Sequence, residues 1–360
     1  MKSFVEAGRS RGTAVVGWRS LALLFRLVAV AAMSGVVGAC GGGAGGDDTS
    51  PSPPAPSPSP VSAPASAGPI AAQLSVPTPV GYDADRLAAF DRLNEIRMSA
   101  GLGMLAQSGQ MDQAAQAHAA WIIANDSFTH DEQAGTPGFT GTNWAQRDEA
   151  SGYVPLSGAE VMSASGHGAD GVNALVNGVY HRAALLAFEP VDVGIGWSAL
   201  AATSVSMPLV IDLTEPGADP VRGRGQSAQA SINGVATWPP DGAQDVPVRL
   251  GLESPNPVPA QDVLTLGTPA SITVEADKTI TTTTFVMTNG LTGVAVPTRL
   301  LTNANDPNFS IPQSFVALIP LTVLEPNTRY QVAFSGSTTL FPSGTIGMVS
   351  RQWSFTTAAQ

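Results

Sequence analysis

The sequence predicts an α+β domain followed by an all-β domain. Apolar residues recur at helical spacing between about Gly81 and Phe188, then give way to short β-branched runs up to Leu213. From about Ser231 onward, period-two alternation between turn residues replaces helical spacing altogether. Helices that lead and strands that close make an α+β layer arrangement, not a repeating α/β one. With 360 residues, 43% of them apolar, the chain is long enough for about two hydrophobic cores.

Asp83 or Asp85 can cap a first helix that runs through Leu87, Phe90, Leu93, Ile96 and Arg97 to a stop at Gly101. A second helix covers Gln110 to Asn125, with Met111, Ala115, His118, Trp121 and Ile122 on its apolar face and small alanines for close packing. After Phe128-Thr129-His130 comes a polar, Gly-rich stretch, and a third helix is expected over Gly171 to Phe188. Val191 to Trp197 and Val205 to Leu213 read as paired antiparallel strands. Pro216 to Pro220 and the Gly/Arg run after it lack periodicity, which makes 216–230 a linker. Beyond it, Ser271–Glu275, Thr282–Met287, Phe315–Leu318, Tyr330–Phe334 and Gln352–Thr356 read as strands.

The N-terminal 80 residues are of another kind. Lys2, Arg9, Arg11, Arg19 and Arg26 precede an uncharged run from Leu27 to Ala39, the pattern of a signal peptide over residues 1–39. The run ends at Cys40, the only cysteine, so no intramolecular disulfide exists. Val37-Gly38-Ala39-Cys40 resembles a bacterial lipobox, which implies acylation of Cys40 and a lipid anchor; Gly41 after the cysteine suggests the outer membrane. Residues 40–80 read as a Gly/Pro/Ser-rich tether, with ten of the 29 prolines between Pro51 and Pro79 favouring extended polyproline II. Loss of residues 1–39 removes five basic residues and Glu6, leaving 12 basic against 27 acidic. Lysine occurs only at positions 2 and 278, so nucleic acid is excluded as a partner and an anionic lipid surface would repel the mature chain.

Several segments together carry a resemblance. Asn94-Glu95-Ile96-Arg97 with Gly101-Leu102, Phe128-Thr129-His130, Arg147 with Gly152-Tyr153, Glu160, His181-Arg182 and Val193-Gly194-Ile195-Gly196 follow in an order similar to that of the CAP superfamily of cysteine-rich secretory, antigen 5 and pathogenesis-related proteins, in its disulfide-free bacterial form. The resemblance implies a three-layer α-β-α sandwich over 81–215 with a cleft lined by a His-Glu-Glu-His tetrad. His130, Glu160 and His181 match three of its members; the second glutamate has no clear counterpart, with Asn173 or Asn177 in its neighbourhood. Some relatives bind sterols or acyl chains, for which Trp121, Trp144 and Tyr153 are candidate wall residues. Leu324 to Tyr330 resembles the corner of bacterial immunoglobulin-like domains, where a tyrosine hydroxyl bonds back to the chain, which implies a spacer or adhesion domain over 231–360.

Judged by residue type, His130, Glu160 and His181 allow three readings: a site for Zn²⁺ or Ca²⁺ or another ligand, a proton relay, or a polar group that satisfies itself. No serine or cysteine nucleophile stands in a recognisable motif, so catalysis, if any, would be metal-dependent hydrolysis of peptide or wall material. His118, on an apolar helix face, reads as a buried histidine bonded to a carbonyl, with the cleft as its alternative. His167 reads as an exposed loop residue, and Asp126, Asp131, Glu132, Asp148 and Glu149 as solvated loop charges. The expected function is that of an envelope-anchored protein whose His/Glu-lined cleft binds a divalent metal, a lipid or sterol, or a cell-wall component; the alternatives are a metal-dependent envelope hydrolase and a purely structural or adhesive envelope protein.

Overall fold

The structure, a computed structural model, describes residues 69–359 apart from Ser165, Ala201, Thr203, Ser204, Ser206 and 217–226. The expected signal peptide, Cys40 and all but the last residues of the tether lie outside the described residues, as does most of the expected linker.

A two-residue strand β1 (Pro69–Ile70) leads into α1 (Ala84–Ala100). Asp83 caps that helix by accepting from the Arg86 N–H, and Gly101 ends it in the left-handed region at φ 92°, as the sequence predicts. After β2 (Ala106–Gln107), α2 (Gly109–Asn125) begins at Ser108 and stops at Asp126. A short α3 (Trp144–Ala150) interrupts the polar stretch and precedes β3 (Pro155–Ser163), neither of which stands out in the sequence. The expected third helix is two: α4 (Gly168–Val176) and α5 (Tyr180–Leu185), broken at Asn177-Gly178-Val179. Strands β4 (Asp192–Trp197) and β5 (Leu209–Pro216) complete a sheet of order β2-β4-β5-β3.

Alternation along the strands builds the layers. Val193 and Ile195 of β4 and Leu209, Ile211 and Leu213 of β5 join Phe90, Leu93 and Ile96 of α1 and Val172 and Leu175 of α4 in one core. Their neighbours point the other way: Val210 and Met162 meet Ala115, Ala119 and Ile122 of α2 in a second. The sheet therefore lies between helices on both faces. Gly194 and Gly196 occupy the α2 side, where a Cβ at Gly194 would run into the backbone of Met111 and one at Gly196 into that of Ala115. The bare strand lets helix and sheet approach closely.

Arg97 shows why the Asn94–Arg97 segment and Gly101-Leu102 occur together. Its wholly buried guanidinium donates to the carbonyls of Gly103, Leu185 and Ala187, tying the end of α1 to the end of α5. Burial without a carboxylate partner in contact lowers its pKa to about 9.

The rest of the chain is all β, in two four-stranded sheets. After β6 (Ser227–Gln229) come β7 (Ala236–Trp238), β8 (Ala243–Val246), β9 (Ala270–Thr273), β10 (Lys278–Asn289), β11 (Thr298–Thr302), β12 (Phe315–Pro320), β13 (Arg329–Leu340) and β14 (Ile346–Thr357). The orders are β10-β13-β14-β8 and β11-β12-β9-β7, enclosing Ile272, Met287, Leu318, Phe334, Trp353 and Phe355. Every strand run expected from the sequence lies within or overlaps one of these. The Tyr330 hydroxyl accepts from the Glu325 N–H at 2.9 Å, closing the expected corner.

The boundary between the domains differs from the expectation. Residues 227–229 were expected in the linker, but β6 runs parallel to β1, and Gln229 is buried, accepting from the Gln73 N–H and donating to the carbonyls of Met104 and Pro190. By contacts the first domain and the β domain form one unit, Ala67–Gln360.

Gly196→Ala is expected to destabilise the protein by about 1–3 kcal/mol or more, because backbone has to move. Gly109→Ala, where a Cβ meets nothing within 4 Å, is expected to be neutral or slightly stabilising. Urea unfolding of the two variants checks the contrast.

Candidate functional site

The site lies on the α2 side of the sheet, where β3 and β5 place Glu160 directly opposite Asp212. The Glu160 side chain has no solvent exposure. Its Oε1 accepts from His130 Nδ1 at 2.8 Å and its Oε2 from Arg147 Nη2 at 2.6 Å. Burial by itself would raise this carboxyl, but the charges of Arg147 and His118 and the His130 hydrogen bond overcome that and bring it down to about 2. Arg147, on α3, also donates to the His130 carbonyl and so holds the loop that carries the imidazole.

Behind this pair stands a second one. His118 of α2 is wholly buried, with Nδ1 2.9 Å from Glu132 Oε1 and Nε2 3.1 Å from the Thr129 carbonyl. Nε2 also lies 3.8 Å from Glu160 Oε1, which joins the two pairs. Both His118 nitrogens face acceptors, so both contacts are hydrogen bonds when the ring carries two protons. Glu132 further accepts from the Thr140 N–H at 2.7 Å, folding the 132–142 loop back over the site. The ring stacks on Trp121 at 5.7 Å, and Trp121 Nε1 donates to Thr136.

His130 is the outward member, its side chain 54% exposed. With Nδ1 committed to Glu160, it turns Nε2 outward, where among the described residues it has no partner. A buried carboxylate that fixes one imidazole nitrogen defines the tautomer and leaves the other nitrogen as an acceptor. The exposed rings of Phe128 and Phe139 stand on the same loop.

Asp148 and Asp212 complete the floor. Both are fully buried, and none of their four carboxylate oxygens has a hydrogen-bond partner among the described residues. Burial first, and repulsion from Glu160 next, raise Asp148 to about 7; burial together with Glu160 and Asp148 raises Asp212 well above the usual carboxylate range. Two acids that resist ionisation thus flank one anion.

The residues expected from the sequence separate here. His130 and Glu160 are in contact, but His181 is not with them: its Nδ1 lies 3.2 Å from Glu253 of the β domain. Glu132 and Asp148, expected as solvated loop charges, are buried, and so is His118, which bonds a carbonyl as expected but also faces Glu132. His167 is not a free loop residue; its Nδ1 meets Asp85 Oδ1 at 2.7 Å and its ring stacks on Trp197. Trp121 and Tyr153 are core residues, the Tyr153 hydroxyl bonding Asp192, and offer no exposed wall for a sterol or acyl chain. All four histidines thus share one construction, Nδ1 against a carboxylate, that no spacing in the sequence announces.

The arrangement does not suit Zn²⁺ or Ca²⁺. Glu160 spends both oxygens on His130 and Arg147, and the guanidinium opposes another positive charge at the same carboxylate. Among the described residues no group of three or more His, Cys, Asp or Glu side chains is placed to share an ion.

Residues 90–205 match the model of the cysteine-rich secretory protein family, CAP. They form a CAP domain. Among solved structures, an extracellular protein containing an SCP domain from Bacillus anthracis is similar at 25% identity over 35% of this chain and 38% of its own, with a TM-score of 0.28. An outer surface protein from Borrelia burgdorferi is similar at 19% identity over 37% of this chain and 92% of its own, with a TM-score of 0.31. The chain thus spans well under half of the Bacillus protein. No curated protein matches the chain. The match takes in His118, Glu132, Arg147, Glu160 and His181 and ends before Asp212, so one of the two buried acids of the CAP domain's floor lies outside the matched segment.

Stability should be greatest near pH ~4–5. Asp148 and Glu215, each raised to about 7, stay protonated in the folded state but ionise in the unfolded chain, so stability falls as pH rises toward 7. Glu160 has the opposite sign: its contribution is complete above the ordinary value of 4.5 and is lost as pH falls toward 2. Urea midpoints from pH 3 to 8 should show both limbs, with Asp148→Asn flattening the neutral one. Arg147→Met, which leaves Glu160 a buried unpaired charge, should cost about 3–5 kcal/mol at neutral pH.

Proposed function

We propose that the protein is held at the cell envelope by a lipid on Cys40 and that its CAP domain binds a polar wall component at His130. The observation that carries this reading is the outward Nε2 of His130, with Nδ1 fixed 2.8 Å from a carboxylate of zero exposure. An imidazole so held accepts a hydrogen bond from an amide or hydroxyl, the donors of wall peptides and glycans, and the same loop carries the exposed apolar rings of Phe128 and Phe139. Glu160, Arg147, His118 and Glu132 position the ring and do not themselves reach solvent.

The neighbours support the address: one is described as extracellular and one as an outer surface protein. Among the described residues no helix is long and apolar enough to cross a membrane.

Titration of the protein with soluble peptidoglycan fragments tests the binding site. Saturable binding is expected, abolished by His130→Ala and weakened about tenfold or more by Glu160→Gln. Equal binding by wild type and His130→Ala would refute the site. Cys40→Ser is expected to move the protein from the membrane to the soluble fraction and to abolish incorporation of labelled fatty acid.

A further inference from the structure

The break between α4 and α5 is where the β domain enters the CAP domain. Glu253, in the loop between β8 and β9, has a side chain with no solvent exposure. Its Oε2 accepts from the Val179 N–H at 2.6 Å and its Oε1 from the N–H groups of Tyr180 at 2.6 Å and His181 at 3.2 Å. The same Oε1 lies 3.2 Å from His181 Nδ1. One carboxylate from the β domain thus satisfies the open backbone donors at the start of α5 and faces the imidazole on it. Gly178 is required beside it, since a Cβ there would stand 2.7 Å from Glu253 Oε1.

The surrounding contacts are of the same kind. Tyr180 donates its hydroxyl to Asp306 and accepts from Asn308, both at 2.7 Å. Arg182, fully buried, donates to the Pro269 carbonyl. Val179 and Ala183 lie in a core otherwise made by the β domain, with Leu250, Leu266, Phe315 and Ile319. A spacer needs none of this; linked domains that move independently meet through smaller and more polar contacts.

We propose that Glu253 is a positioning residue supplied by the β domain to the CAP domain, holding the start of α5, and His181 on it, through three backbone hydrogen bonds and making the two domains one cooperative unit. The β domain is then a fixed part of the CAP domain's support and not a passive spacer. This inference goes beyond the ligand site at His130 and does not depend on it.

The test uses the full-length protein with ¹⁵N-labelled histidine, the His181 amide signal being assigned with His181→Gln. That amide is expected to be protected from hydrogen exchange in the wild type and to lose the protection in Glu253→Ala. Calorimetry is expected to give one transition for the wild type. Glu253→Gln keeps the shape but turns an amide N–H₂ toward backbone donors, and should shift the His181 signals in a protein whose other histidines are unchanged. An unprotected His181 amide in the wild type, two separate wild-type transitions, or His181 signals indifferent to both substitutions would overturn the proposal. Binding at His130 can fail without affecting any of these readouts.

Discussion

A carboxylate removed from water has to be met by positive charge or by hydrogen-bond donors, and Glu160 is the point where this protein meets that demand. Arg147 supplies the charge and His130 the hydrogen bond, which brings α3 and the 128–142 loop onto the sheet. Once Glu160 is the anion, its neighbours ionise less readily. Asp148 and Asp212, buried beside it, are shifted toward the acid form, and His118 with Glu132 closes the network from α2. His130 alone is exposed, so the chemistry of six buried residues is expressed through one exposed ring.

The same demand recurs at the junction of the domains. Glu253 is as inaccessible as Glu160, and its partners are three backbone N–H groups and an imidazole in place of a guanidinium. Val179 and Ala183 add apolar burial around it. A carboxylate satisfied across a domain boundary makes that boundary costly to open, so α5 has two roles: it closes the CAP domain and anchors the β domain.

Much of the fold could be read along the chain, because the signals are local. Asp83 and Gly101 bound α1 through cap chemistry, the alanines and Met111 of α2 meet the glycines of β4, and Tyr330 closes the corner of the β domain. The split of the expected third helix leaves backbone donors that are met by Glu253, more than seventy residues further on, so its partner does not show in the local sequence. Strand β3 and helix α3 were hidden too, since their side chains answer to burial and not to a simple period.

By itself the sequence determined most of the helices and strands in their order and the resemblance that residues 90–205 bear out; it also singled out His130 and Glu160, which the structure brings into contact. Only the tertiary structure decided that Glu132 and Asp148 are buried and not solvated, that Arg147 makes Glu160 an anion, and that His181 belongs to Glu253. The physical reason is that capping and periodicity depend on neighbours within a few residues, whereas the ionisation of a carboxyl depends on which charges and how much water surround it. Those surroundings are assembled from segments far apart in the chain.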